Sequence, residues 1–228
     1  MNIRFLGHAT FTLEHEGTTV LIDPFLTSNP KAAVRPEEVE ADAILVSHGH
    51  FDHIEDVVSI AQRTGAAVVA IKEIADELAG DLGDGHPVFD PIYGGTVTFD
   101  WGSVRLEPAW HTSVTPKGTV SAPAGLVVEF GGQRVYHLGD TALFSDLQLV
   151  KRRGRIDVAL MCIGGHYTMD RFDAVTAVGF IEPQQVIPCH YNTFPPIETD
   201  AQAFKSDVQD AGFSQVIVLD PGDTHTVK

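Results

Sequence analysis

Apolar and polar residues alternate over residues 2–6 and 10–14, the period of half-buried strands, and the apolar run at 19–22 reads as a third strand. Glu16-Gly17 supplies a turn, so these segments predict an antiparallel meander. Asp23-Pro24 ends it, because proline cannot donate to a ladder. Residues 25–35 read as loop, and Pro36, suited to a first helical turn, opens a short helix. From there strands and helices alternate. Continuous apolar runs at 43–46 and 67–71 predict buried strands, and helical patterns over 55–63 and 74–82 end at Gly65 and near Gly83. A strand-rich stretch follows at 96–99, 104–109, 124–130 and 134–138, with Gly131-Gly132 as a hairpin turn. The chain closes on helices at 143–151, 172–181 and 201–211 and strands at 158–162, 185–188 and 216–219. Each half thus runs from strands to strands interleaved with helices. Two mixed β-sheets packed face to face, with helices outside, satisfy that order. The pattern predicts an α/β fold, a four-layer αββα sandwich, with residues 1–228 as a single domain.

Composition narrows the function classes. A hydrophobic content of 43% with 20% charged residues is that of an ordinary globular protein. No apolar run approaches the roughly 18 residues of a membrane span. The N-terminus shows no apolar leader or cleavage site. Cys162 and Cys189 both lie in apolar, strand-like runs, which points to buried thiols rather than a disulfide or metal ligands. A cytoplasmic location is the resulting expectation. The net charge is −16, from 15 basic and 31 acidic residues. The only basic cluster is Lys151-Arg152-Arg153 with Arg155, so the chain lacks the basic face of a nucleic-acid binder.

The chemistry concentrates in Ser47-His48-Gly49-His50-Phe51-Asp52-His53, on the loop between the strand at 43–46 and the helix at 55–63. Imidazole and carboxylate together suit zinc, manganese, nickel or iron. Gly49 gives the backbone freedom between His48 and His50. Downstream, His111, Asp140 and His190 each stand where a predicted strand runs into a loop, as His48 does. That shared placement lets distant residues converge on one rim. Asp23, at the end of the strand at 19–22, is placed to accept the free ring N–H of a liganding histidine. His137 is either a supporting group for Asp140 or a core-edge histidine, and His15, His86 and His225 read as surface residues.

The spacing H-x-H-x-D-H resembles the signature of the metallo-β-lactamase fold, and the later His, Asp and His follow that fold's order. The resemblance implies two divalent metal ions per chain. His48, His50 and His111 would bind the first, Asp52, His53 and His190 the second, and Asp140 would bridge them. Four longer stretches are similar to one branch of the fold: Gly7-His8-Ala9-Thr10, residues 21–30, residues 139–146 and residues 190–195. That branch comprises bacterial and archaeal metal-dependent hydrolases akin to L-ascorbate-6-phosphate lactonase, and the likeness covers essentially the whole chain. It places His8 near the pocket. It implies hydrolysis of a small ester or lactone, with or without a phosphate, by a hydroxide bridging the metals. Asp52 and Asp140 would orient the hydroxide, and His166, Tyr167 and His8 are candidates to protonate the leaving group. Related lactonases assemble into oligomers, so a homo-oligomer is a further expectation.

The chain departs from the branch in having Cys162-Ile163-Gly164 where Pro-Ile-Gly is usual, and in His166 and Asp170. The lactonase's phosphate-binding residues are therefore not carried over. The alternative activity is a phosphodiesterase, phospholipase D-like or nuclease-like, with the same centre; the acidic charge argues against the nuclease. Di-iron redox members usually carry an acidic residue where His50 stands and a flavodoxin-like segment, and this chain shows neither. A non-catalytic metal binder would be expected to lack part of the ligand set.

Overall fold

The computed structural model describes residues 1–228 and arranges their strands in two sheets of seven. The chain opens with the meander β1 (Asn2–Gly7), β2 (Thr10–His15) and β3 (Thr18–Ile22). Parallel strands β4 (Ala43–Leu45), β5 (Ala67–Val69) and β6 (Val88–Phe89) extend it, connected by α1 (Phe51–Ile54), α2 (Val57–Thr64) and α3 (Lys72–Leu82). The second sheet begins with antiparallel β7 (Thr96–Phe99), β8 (Gly102–Pro108), β9 (Ala124–Phe130) and β10 (Gln133–His137). It continues in parallel through β11 (Val158–Cys162), β12 (Gln185–Cys189) and β13 (Gln215–Val216), with α4 (Arg171–Ile181) and α5 (Ala201–Asp210) between them. Finally β14 (Thr224–Thr226) returns to the first sheet, antiparallel to β1, with Thr226 opposite Asn2.

Strand alternation decides which side chains meet. Phe11 and Leu13 of β2 join Val104, Leu106, Leu126 and Val128 of the other sheet in one buried cluster between the layers. Val127, between Leu126 and Val128 on β9, belongs instead to a second cluster with Tyr136 of β10, Ala159 and Met161 of β11, Ala177 and Val178 of α4 and Phe204 of α5. Helix ends follow local chemistry. Gly65 closes α2 at φ 75°, and Asp170 and Asp200 cap α4 and α5 by accepting two backbone N–H groups each.

Several expectations are corrected in detail. The helix expected at 55–63 is two pieces, and its first turn starts at Phe51, so Asp52 and His53 are helical rather than in a loop. The break falls at Asp56, whose buried carboxylate accepts Leu26 N–H at 2.7 Å and Thr27 N–H at 3.0 Å and thereby ties α1–α2 to the loop after β3. Ser145–Arg153 is 3₁₀ rather than α-helix. The strand expected at 216–219 shrinks to Gln215–Val216. β6 and β14 were not expected, since two residues and Thr-His-Thr carry no readable alternation. No helix is long and apolar enough to cross a membrane.

Both sheets switch from antiparallel to parallel pairing, at β3–β4 and at β10–β11. The chain leaving β3, β4, β10 and β12 carries Asp23, His48, Asp140 and His190 respectively.

Candidate metal centre

Those exits bring the seven sequence-expected donors together. Two groups of donor atoms form, each with all atoms within 4.8 Å of one another. One is His48, His50, His111 and Asp140; the other is His8, Asp52, His53 and His190. Within the first, His50 Nδ1 lies 3.1 Å from His48 Nε2 and 3.3 Å from His111 Nε2. Asp140 stands between the groups. Its Oδ2 is 3.8 Å from His48 Nε2, 3.6 Å from His111 Nε2 and 3.0 Å from His190 Nε2, and its Oδ1 is 3.4 Å from His53 Nε2.

Each side chain is aimed by identifiable contacts. Fully buried Asp23 accepts the Ser47 backbone N–H at 2.7 Å, the Ser47 hydroxyl at 2.6 Å and His53 Nδ1–H at 2.8 Å. Because Ser47 Oγ donates to Asp23, it is left to accept from His48 Nδ1 at 3.0 Å. One carboxylate therefore orients a histidine in each group and directs both Nε2 atoms inward. His8 does the same for Asp52: its Nε2 meets Asp52 Oδ2 at 3.0 Å while its Nδ1 meets Thr193 Oγ1 at 2.9 Å. His137 is not beside the donors. Its ring joins Ala9 O and Gly139 N, the neighbours of His8 and Asp140, and so braces both loops. His15, His86 and His225 are half-buried, and none belongs to either donor group.

Backbone strain gathers here as well. His8, Asp23 and His190 have φ of 58°, 47° and 54°, a region that costs a non-glycine residue roughly 1–2 kcal/mol and persists where surroundings over-determine it. Gly49 is required for close approach, since a Cβ there would sit 2.9 Å from Thr115 Cγ2; its N–H donates to buried Ser113 Oγ. Gly164 lies against the His190 carbonyl, where a Cβ would come within 2.2 Å of the oxygen.

Electrostatics keep most of the imidazoles available as neutral ligands. Burial pushes His48 well below the usual histidine range and lowers His50 and His111; the same cause, with His190, brings His8 down to about 4. Burial also works against a charged His53, but Asp140 and Asp23 outweigh it and hold that ring well above the usual value. Asp140 stays ionised despite burial because His190 and His53 face it.

The donor set fits divalent metal. His53 Nε2, His190 Nε2 and Asp140 Oδ1 are buried without a well-aligned hydrogen bond, the two ring nitrogens only facing the Asp140 oxygens at 3.4 and 3.0 Å, and a buried polar atom left without a hydrogen bond normally destabilises a fold by about 1–3 kcal/mol. Ligands bound at about 2.0–2.1 Å in a tetrahedron lie roughly 3.3 Å apart, close to the 3.1 and 3.3 Å that separate His50 Nδ1 from His48 Nε2 and His111 Nε2. A cavity of about 500 Å³ opens over the donors.

The structure does not bring His166 to this cavity. It is exposed on the loop after β11 at φ 57°, with its ring edge-on to Tyr167 at 4.4 Å, and Tyr167 lines the cavity instead. Asp170 is the α4 cap. Sequence reasoning missed Ser47, Asp56 and Thr193, whose roles come from partners distant in sequence. Cys162 and Cys189 sit opposite each other on β11 and β12 as free, buried thiols. Burial pushes Cys162 up to about 12 and Cys189 well above the usual thiol range.

Comparison with known proteins agrees with this geometry. Residues 2–190 match the profile of the beta-lactamase superfamily domain. A UPF0173 metal-dependent hydrolase of Carboxydothermus hydrogenoformans is 44% identical over 226 residues, 98% of each chain. One from Thermococcus kodakarensis is 45% identical over 224 residues, again 98% of each. Among solved structures, Igni18, a metallo hydrolase from the archaeon Ignicoccus hospitalis, superposes with a TM-score of 0.90 at 35% identity, covering 100% of this chain and 99% of that one. With two sheets flanked by helices and homology along nearly its whole length, the chain belongs to the beta-lactamase superfamily, among its UPF0173 metal-dependent hydrolases.

Proposed function

We propose that this protein hydrolyses a small ester or lactone with a dinuclear metal centre. His48, His50 and His111 would hold one ion and Asp52, His53 and His190 the other, with Asp140 placed between the two sets. The observation that carries the reading is the convergence of buried His53, His190 and Asp140 donor atoms that face one another without a well-aligned hydrogen bond. Two divalent ions there supply Lewis acidity and a water of lowered pKa. The chain's own residues do the rest. Asp23 and Ser47 orient His53 and His48, and His8 holds Asp52. Of the candidate proton donors to a leaving group, Tyr167 lines the cavity, His8 is engaged by Asp52, and His166 is exposed and not among the lining residues. The donors come from both sheets, so the proposal takes residues 1–228 as one catalytic unit.

Elemental analysis after reconstitution with excess zinc or manganese should find close to two ions per chain. Asp140→Asn should lower occupancy of both positions and reduce turnover of lactones and esters severely, with circular dichroism unchanged. His111→Ala should lose mainly one ion, and His166→Ala should keep both. Two ions retained at full activity in Asp140→Asn, or phosphodiesters turned over in place of every ester and lactone, would refute the reading.

A further inference from the structure

The cavity over the donors is lined by two unlike kinds of residue. Donor side chains and Thr112 are one. The other is the set Phe51, Phe194, Tyr167 and Pro196, with the Phe51 and Phe194 ring centroids 6.5 Å apart, and no lysine or arginine lines the cavity. Phe51 and Tyr167 remain 50% and 55% exposed. The wall is nevertheless held in place. Phe51 and Phe194 both rest on fully buried Phe25, with ring centroids 5.6 and 6.2 Å away. Phe194 also packs edge-on against His8 at 5.7 Å. Aromatic surface is thus kept open beside the donors instead of collapsing onto the core, and it gains free energy when a ligand covers it.

We propose that this wall selects a neutral substrate carrying an alkyl or aryl group next to the scissile bond, and that it discriminates against substrates phosphorylated on that group. The inference rests on the hydrolase reading above and names its substrate class. A phosphate remote from the reacting bond would lose hydration against Phe51, Phe194 and Pro196 and find no cationic side chain in return. The net charge of −16 opposes an anionic substrate at longer range. An alkyl chain gives up only ordered water, and each methylene covered should strengthen binding about fourfold.

Binding and turnover test it separately on the zinc-loaded protein. γ-Lactams, inert counterparts of γ-lactones, are titrated by calorimetry with no substituent or with a butyl chain. The butyl compound should bind tighter by about tenfold or more. Phe194→Ala and Phe51→Ala should cut that gain to about threefold or less, with zinc content unchanged. Tyr167→Ala, at an exposed position, should reduce the gain without threatening the fold. Butyl-γ-lactone should then be hydrolysed with higher kcat/KM than a phosphorylated sugar lactone. A butyl gain that is absent, or that survives all three variants, overturns the inference, as does faster turnover of the phosphorylated lactone. Lactam binding as expected without turnover of any ester or lactone would sink the hydrolase reading and leave the substrate class of the pocket standing.

Discussion

Asp23→Asn is the sharpest test of how the centre is held. Asp23 is wholly buried, and its two oxygens accept three hydrogen bonds, from Ser47 N–H, the Ser47 hydroxyl and His53 Nδ1–H. Asparagine keeps the shape but offers one acceptor oxygen and an NH₂ group. With the oxygen towards His53, the NH₂ confronts the Ser47 N–H that now sits 2.7 Å from Oδ1. With the amide flipped, the NH₂ confronts His53, and relief requires the ring to move its proton to Nε2, the atom directed at Asp140. Either orientation strands a buried donor, so the metal-free fold should lose roughly 1–3 kcal/mol. Loss of this support should also weaken metal affinity by about 10–100-fold. The effect should reach both ions, because Asp23 orients His53 directly and His48 through Ser47. Urea unfolding in EDTA reads the first quantity, and zinc titration against a competing chelator reads the second. An Asp23→Asn protein that binds both ions with native affinity would show that the Asp23–Ser47 network does not set the ring tautomers.

Other outcomes follow from the same contacts. In metal-free protein the unfolded chain protonates His8 near pH 6.5 while the folded chain does so only near 4, so the unfolded state binds more protons between them. Stability should fall as pH drops through that window, by about 3 kcal/mol from His8 alone. His48, His50 and His111 act in the same direction, and His53, raised by Asp140 and Asp23, opposes them. A urea midpoint in EDTA that is equal or higher at pH 5 than at pH 7.5 would contradict this balance. Thiol titration should find Cys162 and Cys189 unreactive in the native protein and two free thiols after unfolding; a single reactive group or none would rule out two buried free cysteines. Gly164→Ala drives a methyl to 2.2 Å from the His190 carbonyl and should destabilise by about 1–3 kcal/mol or more, measured by thermal melting; an unchanged melting temperature would mean the loop shifts freely.

The candidate donors were legible because metal chemistry restricts residue types sharply. A short H-x-H-x-D-H spacing must come from one loop, and His111, Asp140 and His190 all announced themselves by standing where a strand ends. The sheets were legible for a similar reason. Strands such as β9 and β11 have to read as apolar runs if both their faces are covered. The side chains gather in two groups, His48, His50, His111 and Asp140 in one and His8, Asp52, His53 and His190 in the other, with Asp140 3.0 Å from His190 and 3.4 Å from His53 across the divide.

The remainder depends on contacts that no local pattern encodes. His8 and His166 both follow a glycine at a turn, yet one is buried against Asp52 and the other is exposed. Only the pairing of distant elements separates them: His190 N–H binds the carbonyl of His8 and draws the β1–β2 turn under the centre. Ser47 looked like a residue flanking the motif until Asp23, 24 positions earlier, reached it across β3 and β4. The apolar wall is of the same kind, with Phe51 and Phe194 meeting on Phe25 from three separate loops and turns. Sequence by itself determined which atoms can hold metal and which residues must be buried, because ligand chemistry and hydrophobic period are properties of single positions and near neighbours. Tertiary structure alone decided which ring nitrogens point inward, which histidine is left out and what surface a substrate meets, because those depend on the packing of groups brought together from opposite ends of the chain.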